Sequence, residues 1–514
     1  EIRAIIYTHS HRDHYGGASG MVSEAESRAR GIPVIAPEGF LEEAFSETML
    51  AGVPMRRRSL FQFGTTLPPG PMGHVDSGLG KAVGRGRDGL IPPNRLIREP
   101  SERHVIDGVE FVFHLTPGTE APAEMNIVLP SLRALNLAEN ACHTMHNLCP
   151  LRGAKTRDAL SWSRYLDEAL HRFVPEVDVV CAQHQWPVWG TTRIHEFVAG
   201  QRDLYRYLHD QTLRLMSHGL TPAEIGERLL LPNRLSRQWF ARGYYGAVVH
   251  NVAAIYTHYL GPYDGNPANL HPLQPQDEGA RYVACMGGAE AVMQHARQAC
   301  EAGDFRWAVQ LLKHLVFSQP DHREARELHA DAMEQLGYQA ESATWRNAYL
   351  LGAQELRAPR RKAAHATIPI SADMVALLPL GKFLEFLAIR VDGERAQDLQ
   401  ARFNWTLLDA DGEHTPGTVE GDGVAKPDGT EASQHQAVTL SNGALSHLPG
   451  VHTGAVDAHI VTLRSQLLHL MQGAGPALRA LDEGLIRCDG DRALVRAFLQ
   501  TLDVFDPMFN VVEP

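Results

Sequence analysis

The chain contains no stretch approaching the roughly 18 consecutive apolar residues of a membrane-spanning helix, so no membrane span is expected. Cysteine is sparse. Six occur in 514 residues (Cys142, Cys149, Cys181, Cys285, Cys300 and Cys488), and none forms a Cys-x-x-Cys pair. This argues against a disulfide framework or a zinc–thiolate site, and the thiols are expected to be mostly buried. Positive charge is also short, with 48 Lys and Arg against 60 Asp and Glu and a formal charge of -12. Phosphate binding needs clustered cations, so no nucleic-acid partner is expected. An initiator methionine is missing too. The chain opens at Glu1 within an apolar run, so the natural N-terminus and any targeting segment are expected to lie before it.

What is present is a soluble globular composition, 44% hydrophobic and 21% charged, long enough for two to four domains. Histidine is abundant at 27 residues. A metal site in such a chain would use imidazole and carboxylate ligands. Residues 2–8 (IRAIIYT), 32–36, 125–129, 134–137 and 177–183 read as short buried strands. Residues 103–115 read as a hairpin turning at Asp107-Gly108, and residues 18–30 as a helix. Residues 64–95 are rich in Gly and Pro and read as a long loop. Strands mixed with helices fit an α/β sandwich over residues 1–200. Helical periodicity dominates residues 201–366. Within it, Gly303-Asp304 and Pro320 punctuate hairpins similar to tetratricopeptide repeats, and a basic linker follows at 357–366. Residues 367–514 start helical and then alternate as strands, with Asn442-Gly443 as a second hairpin turn, and read as a separate α+β domain.

The segment Thr8-His9-Ser10-His11-Arg12-Asp13-His14-Tyr15-Gly16-Gly17 carries the chemistry. Three histidines and an aspartate on a turn directly after a strand can serve two adjacent zinc ions. Gly16-Gly17 would let the backbone pack closely as a helix begins. This motif resembles the signature of the metallo-β-lactamase superfamily. Three later segments narrow the match: residues 116–126 around Glu120, residues 137–147 around Glu139, and Gln183-His184-Gln185-Trp186-Pro187. With Leu151-Arg152-Gly153-Ala154 and Arg157-Asp158, they resemble the class III alkylsulfatases. Most other members of the superfamily have His and Asp where this branch has Glu and Glu.

The resemblance implies an αββα sandwich, incomplete at its N-terminus, followed by an all-α dimerisation domain and a C-terminal domain similar to sterol-carrier proteins. The last could hold an apolar chain in a cavity. It implies zinc-dependent hydrolysis of alkyl sulfate esters, two Zn²⁺, a homodimer, and a periplasmic or secreted location. It also implies a ligand set. His9, His11 and Glu120 would hold one zinc, Asp13, His14 and His184 the other, and Glu139 would bridge them. Glu124 is the rival to Glu120. His143 and His146 are expected to orient ligands rather than bind metal, and His104, His114 and His171 to lie at the surface or in hairpins. Arg152 is the expected sulfate clamp, because a guanidinium fork matches two sulfate oxygens. Lys81 is a weaker candidate. His250 is expected to act as general acid or to support the site. The chain departs from the family where Cys149-Pro150 replaces Tyr-Thr, and where Gln185 replaces the second of two adjacent histidines. The competing readings are a thioester or phosphodiester hydrolase of the same superfamily, and a non-catalytic surfactant- or lipid-binding relative. Because the motif normally follows several strands, the 2–8 strand is expected to have an uncovered edge or face.

Overall fold

The computed structural model describes residues 1–84, 86, 89–358, 375, 378–408 and 435–514. The short apolar runs near the start of the chain become three parallel strands, β1 (Ile5–Ile6), β2 (Val34–Pro37) and β3 (Arg95–Ile97), in that order across the sheet. A second sheet holds β4 (Ser101–Ile106), β5 (Val109–Leu115), β6 (Met125–Leu129), β7 (Ala134–Asn136), β8 (Val179–Cys181) and β9 (Val188–Trp189) in sequential order. Its pairs are antiparallel except β7 with β8, which are parallel. Asp107 and Gly108 both take positive φ (49° and 80°), as a two-residue hairpin turn requires.

Alternation along the strands sorts the two faces. Ile35 and Ile97 meet Phe113, Met125 and Ile127, which forms the core between the sheets. Val34 and Ala36 point the other way, onto Phe40, Ala44 and Met49 of the helix Phe40–Met49. Val112, Val128 and Val180 of the second sheet pack outward on Trp162, Leu166 and Ile194 of the helices Ala159–Arg172 and Thr191–Met216. The layers therefore run helix, sheet, sheet, helix. β1 is an edge strand, paired only with β2 among the described residues, and Ile2, Ile5 and Ile6 stay half-buried.

Several expectations are corrected. The helix over 18–30 is instead a 3₁₀ turn (Ala18–Gly20) and a separate helix Glu24–Ala29, whose first turn is capped by Ser23. Closely spaced glycines weaken the first half, and Ser23 serves better as a cap than inside a helix. A side chain at Gly17 would meet nothing within 4 Å, so close packing is not why glycine stands there. Of the six free cysteines only Cys142 is buried. His114 is buried, and its Nε2 lies 3.1 Å from Glu168. The expected boundary after residue 200 falls inside the 26-residue helix Thr191–Met216. That helix packs on the sandwich and continues into the helical region, so the two units share it. The boundary at 366/367 lies outside the described residues.

The helical region contains two antiparallel hairpins, Ala289–Glu301 with Phe305–Ser318 and Arg323–Gln339 with Ala343–Arg357. Gly303 is left-handed (φ 76°), and Asp304 caps the helix that follows it. His329 is buried among these helices, and burial lowers its pKa from 6.5 to about 4. The unfolded chain binds that proton more readily, so this contribution is intact above pH 6.5 and is lost as the pH falls through about 4. The expected penalty is about 3 kcal/mol once lost. His329→Gln should therefore flatten the fall in Tm between pH 7 and 4, as read by calorimetry. An unchanged profile would count against it.

The last unit is a five-stranded sheet, β12-β11-β10-β13-β14. Its strands are β10 (Ala401–Leu408), β11 (His435–Ser441), β12 (Ala444–Pro449), β13 (Ala458–Leu463) and β14 (Ile486–Gly490). Asn442 and Gly443 form the predicted hairpin turn (φ 52° and 74°). Phe383, Phe403, Trp405 and Phe498 pack together inside it. The tail returns to the other units. Glu355 accepts from Val511 N and Val512 N and pairs with Arg57, whose Nε donates to the Phe509 carbonyl.

Candidate metal centre

The centre lies where the two sheets are stitched together. Beyond β1 the chain crosses to the start of β6, where Met125 N donates to the Thr8 carbonyl (2.9 Å) and Ser10 N to the Ala123 carbonyl (3.2 Å). His9 and His11 are thereby set beside the 116–124 loop. The short helix Arg12–Tyr15 then carries Asp13 and His14. Glu139 and His184 follow the parallel strands β7 and β8, and Gln183 N donates to the Ala138 carbonyl (2.8 Å), joining the two loops. Ala138 and His184 both take left-handed backbone conformations (φ 49° and 75°). Such conformations cost about 1–3 kcal/mol in a residue other than glycine, and they concentrate at functional sites.

All seven expected ligand residues converge. One group comprises His9, His11, Glu120 and Glu139, a second comprises Asp13, His14 and His184, and within each the candidate ligand atoms lie within 4.8 Å of one another. Glu120 Oε2 is 2.7 Å from His11 Nδ1 and 3.5 Å from His9 Nε2. Asp13 Oδ2 is 3.3 Å from His14 Nε2 and 3.6 Å from His184 Nε2. Glu139 Oε2 reaches both groups, at 3.4 Å from His9 Nε2, 3.1 Å from His14 Nε2 and 3.2 Å from His184 Nε2.

The electrostatics separate the two glutamates of the 116–124 loop. Glu120 is held below its usual pKa against the effect of burial, chiefly by Arg157 and then by His11. Glu124 is raised to about 8 by burial and by the Glu120 charge. Its oxygens are occupied by Thr119 Oγ1 (2.7 Å), Ala121 N (3.0 Å) and Glu139 N (3.1 Å). Glu124 thus braces the loops from behind, while Glu120 Oε2 faces His9 and His11. Burial and the neighbouring His14 lower His9 to about 4, which keeps it neutral. On His14, Asp13 and Glu139 overcome burial and raise the pKa to about 11. Glu139 itself is pulled well down, against burial, by His184, His14 and His146.

Other sequence candidates lie around this cluster. His146 Nε2 is 3.1 Å from Glu139 Oε1. His143 Nε2 contacts the Trp186 carbonyl (2.9 Å), next to the loop bearing His184. Cys142 is fully buried and donates to the Glu139 carbonyl (3.5 Å). Arg152 sits on the turn after Pro150. Its backbone N donates to Gln62 Oε1 (2.8 Å), and its Nη1 to the Gly153 carbonyl (3.0 Å). His250 Nε2 donates to the Cys149 carbonyl (2.8 Å). Lys81 is exposed and pairs with Asp76 (3.1 Å). The side chain that grips Glu120 is Arg157, which the sequence offers only within the Arg157-Asp158 segment. Its position directly before Asp158, the cap of helix Ala159–Arg172, was the available signal. A cavity of about 320 Å³ opens beside His11 and Glu120, walled by Leu50, Ala51, Met55 and Pro122, with Lys155 and Glu43 paired at 2.8 Å.

The donor set fits a metal. His9 Nε2, His14 Nε2, His184 Nε2 and Glu120 Oε2 are buried and have no hydrogen-bond partner, although they crowd together. Buried polar atoms are rarely left so, and imidazole with carboxylate is a zinc donor set.

Sandwich and cluster together are those of the metallo-β-lactamase fold, with a His and carboxylate cluster compatible with a metal site. Residues 1–184 match the metallo-beta-lactamase superfamily, 221–359 the alkyl sulfatase dimerisation domain and 369–514 the alkyl sulfatase C-terminal domain. The chain is 43% identical to the alkyl/aryl-sulfatase BDS1 of Saccharomyces cerevisiae, over 100% of this chain and 75% of that protein. It is equally 43% identical to an (R)-specific secondary-alkylsulfatase of a Pseudomonas species, over 100% and 74%. It is 42% identical to a linear primary-alkylsulfatase from the same genus, over 99% and 72%. The solved structure of the stereoselective inverting sec-alkylsulfatase Pisa1 from Pseudomonas superposes with a TM-score of 0.89 at 41% identity, covering 100% of this chain and 77% of that one. The chain belongs to the alkylsulfatase family of the metallo-β-lactamase superfamily.

Proposed function

We propose that this chain hydrolyses alkyl sulfate esters to alcohol and inorganic sulfate with two zinc ions. His9, His11 and Glu120 would hold one, Asp13, His14 and His184 the other, and Glu139, which contacts both groups, would serve both. The observation that carries this reading is the meeting of both ligand groups at Glu139 in a chain of this family. Bound there, a zinc pair supplies concentrated positive charge and an activated water at neutral pH.

The chain's own residues supply the rest. Glu124 accepts from Glu139 N, and His146 Nε2 meets Glu139 Oε1, so both hold Glu139 from behind. The cavity beside His11 and Glu120 offers apolar walls to the alkyl chain, and its volume falls within the range of about 300–1,000 Å³ usual for small-molecule sites. Arg152 is the cation we assign to the sulfate group, because its guanidinium lies near Met55 of the cavity wall. His250 supports the site, since its Nε2 is committed to the Cys149 carbonyl of the turn that carries Arg152.

Assaying dodecyl sulfate against a lactoylglutathione-like thioester, with zinc counted per chain, tests the proposal. Turnover of the sulfate ester with zinc near two per chain is expected. Turnover of the thioester alone, or a chain without zinc, would overturn it. We also assign a homodimer. Leu230, Trp239, Leu260, Leu270 and Trp307 expose apolar surface within the dimerisation segment. Sedimentation at micromolar concentration should show a dimer, and a monomer there would refute the assignment.

A further inference from the structure

Arg157 is buried to 6% exposure, and every nitrogen of its guanidinium is engaged. Nε donates to the Glu120 carbonyl (2.5 Å) and Nη2 to Glu120 Oε1 (2.5 Å), so the fork grips one residue by main chain and side chain together. Nη1 donates to the Asn147 carbonyl (2.7 Å) and to Asn147 Oδ1 (2.6 Å), and lies 3.1 Å from His146 Nδ1. The main chain is pinned at the same point. Arg157 N donates to the Leu148 carbonyl (2.9 Å) and Asp158 N to the Gly118 carbonyl (3.2 Å). Four of its five N–H groups are committed to these two loops, and its burial leaves it no face toward a substrate, so this guanidinium is not a substrate clamp.

We infer that Arg157 is a positioning residue that joins the loop bearing Glu120 to the loop bearing Glu139 and presents Glu120 to the centre by Oε2 alone. This inference rests on the zinc reading above. Two consequences separate it from generic charge balance in the interior. First, the fork ties Oε1 away from the centre, and only a planar guanidinium makes both parallel bonds to Glu120. Second, the grip falls on one metal position. Asp13, His14 and His184 have no contact with Arg157 among the described bonds, so the two positions should respond differently to its loss.

The test is zinc retention per chain against graded dipicolinate, for the full-length chain, for Arg157→Met and for Arg157→Lys. For Arg157→Met we expect one of the two zinc ions to leave at about 10- to 100-fold lower chelator, the usual effect of removing a group that orients a ligand. The other should leave where it does in the unaltered protein. Arg157→Lys keeps the charge without the fork and should fall between. Both zinc ions shifting together, or neither, would overturn the inference. If Arg157→Met does not fold, the Lys variant decides, and retention of both ions as in the unaltered protein overturns it. An unaltered chain holding fewer than two zinc ions removes the zinc reading itself, and this inference with it.

Discussion

Glu139→Ala is expected to lose both metal positions and to lower kcat/KM for an alkyl sulfate by about 10³-fold or more, roughly 4 kcal/mol of transition-state stabilisation. The reason is its placement. One oxygen, Oε2, lies within 3.4 Å of nitrogens from both ligand groups, and the other is held by His146. Glu139 thus joins the two groups through a single atom. Removing it also leaves His9, His14 and His184 facing one another with one carboxylate fewer to balance a bound cation pair. Glu139→Gln keeps the shape and loses the charge, and should lie nearer to Ala than to the unaltered protein. Steady-state kinetics on dodecyl sulfate, with zinc counted on the same samples, checks this. A variant that keeps two zinc ions and its rate would remove Glu139 from the centre.

Stripping the metal should lower Tm by about 10 °C as well as stopping turnover. Four buried polar atoms (on His9, His14, His184 and Glu120) lack hydrogen-bond partners and converge on the same space. Without a cation, crowded contacts such as Glu120 Oε2 with His11 Nδ1 and His14 Nε2 with Glu139 repay only part of that burial. A ligand that binds only the folded state adds about 4 kcal/mol at a free concentration of about 1,000 Kd. On a domain of this size each kcal/mol moves Tm by about 2–4 °C. Calorimetry after dialysis against dipicolinate, and again after zinc is restored, measures the difference. Equal Tm values with undiminished turnover would show that the cluster binds no functional metal.

Some of this was legible before any coordinates. His9, His11, Asp13 and His14 lie within six positions after an apolar run, so local geometry alone brings them together. The two hairpin turns were likewise local, because Asp107-Gly108 and Asn442-Gly443 can adopt the positive φ that the turn demands. Element edges were less legible. The 2–8 run keeps only Ile5–Ile6 as strand, because beyond it the backbone turns across to the second sheet to deliver His9.

The sequence by itself determined the ligand chemistry, the sandwich class and the family, since these rest on residue type, spacing and pattern. Only the tertiary structure decided which of two glutamates four residues apart faces the centre. Glu124 has its oxygens filled by Thr119, Ala121 and Glu139, whereas Glu120 is turned by Arg157 so that Oε2 meets His11. It alone decided that Arg157 is buried and Arg152 only partly so, for an arginine carries no sign in its sequence of where its charge is satisfied. Those outcomes depend on contacts between loops separated by tens of residues, and a one-dimensional pattern holds no record of such distances.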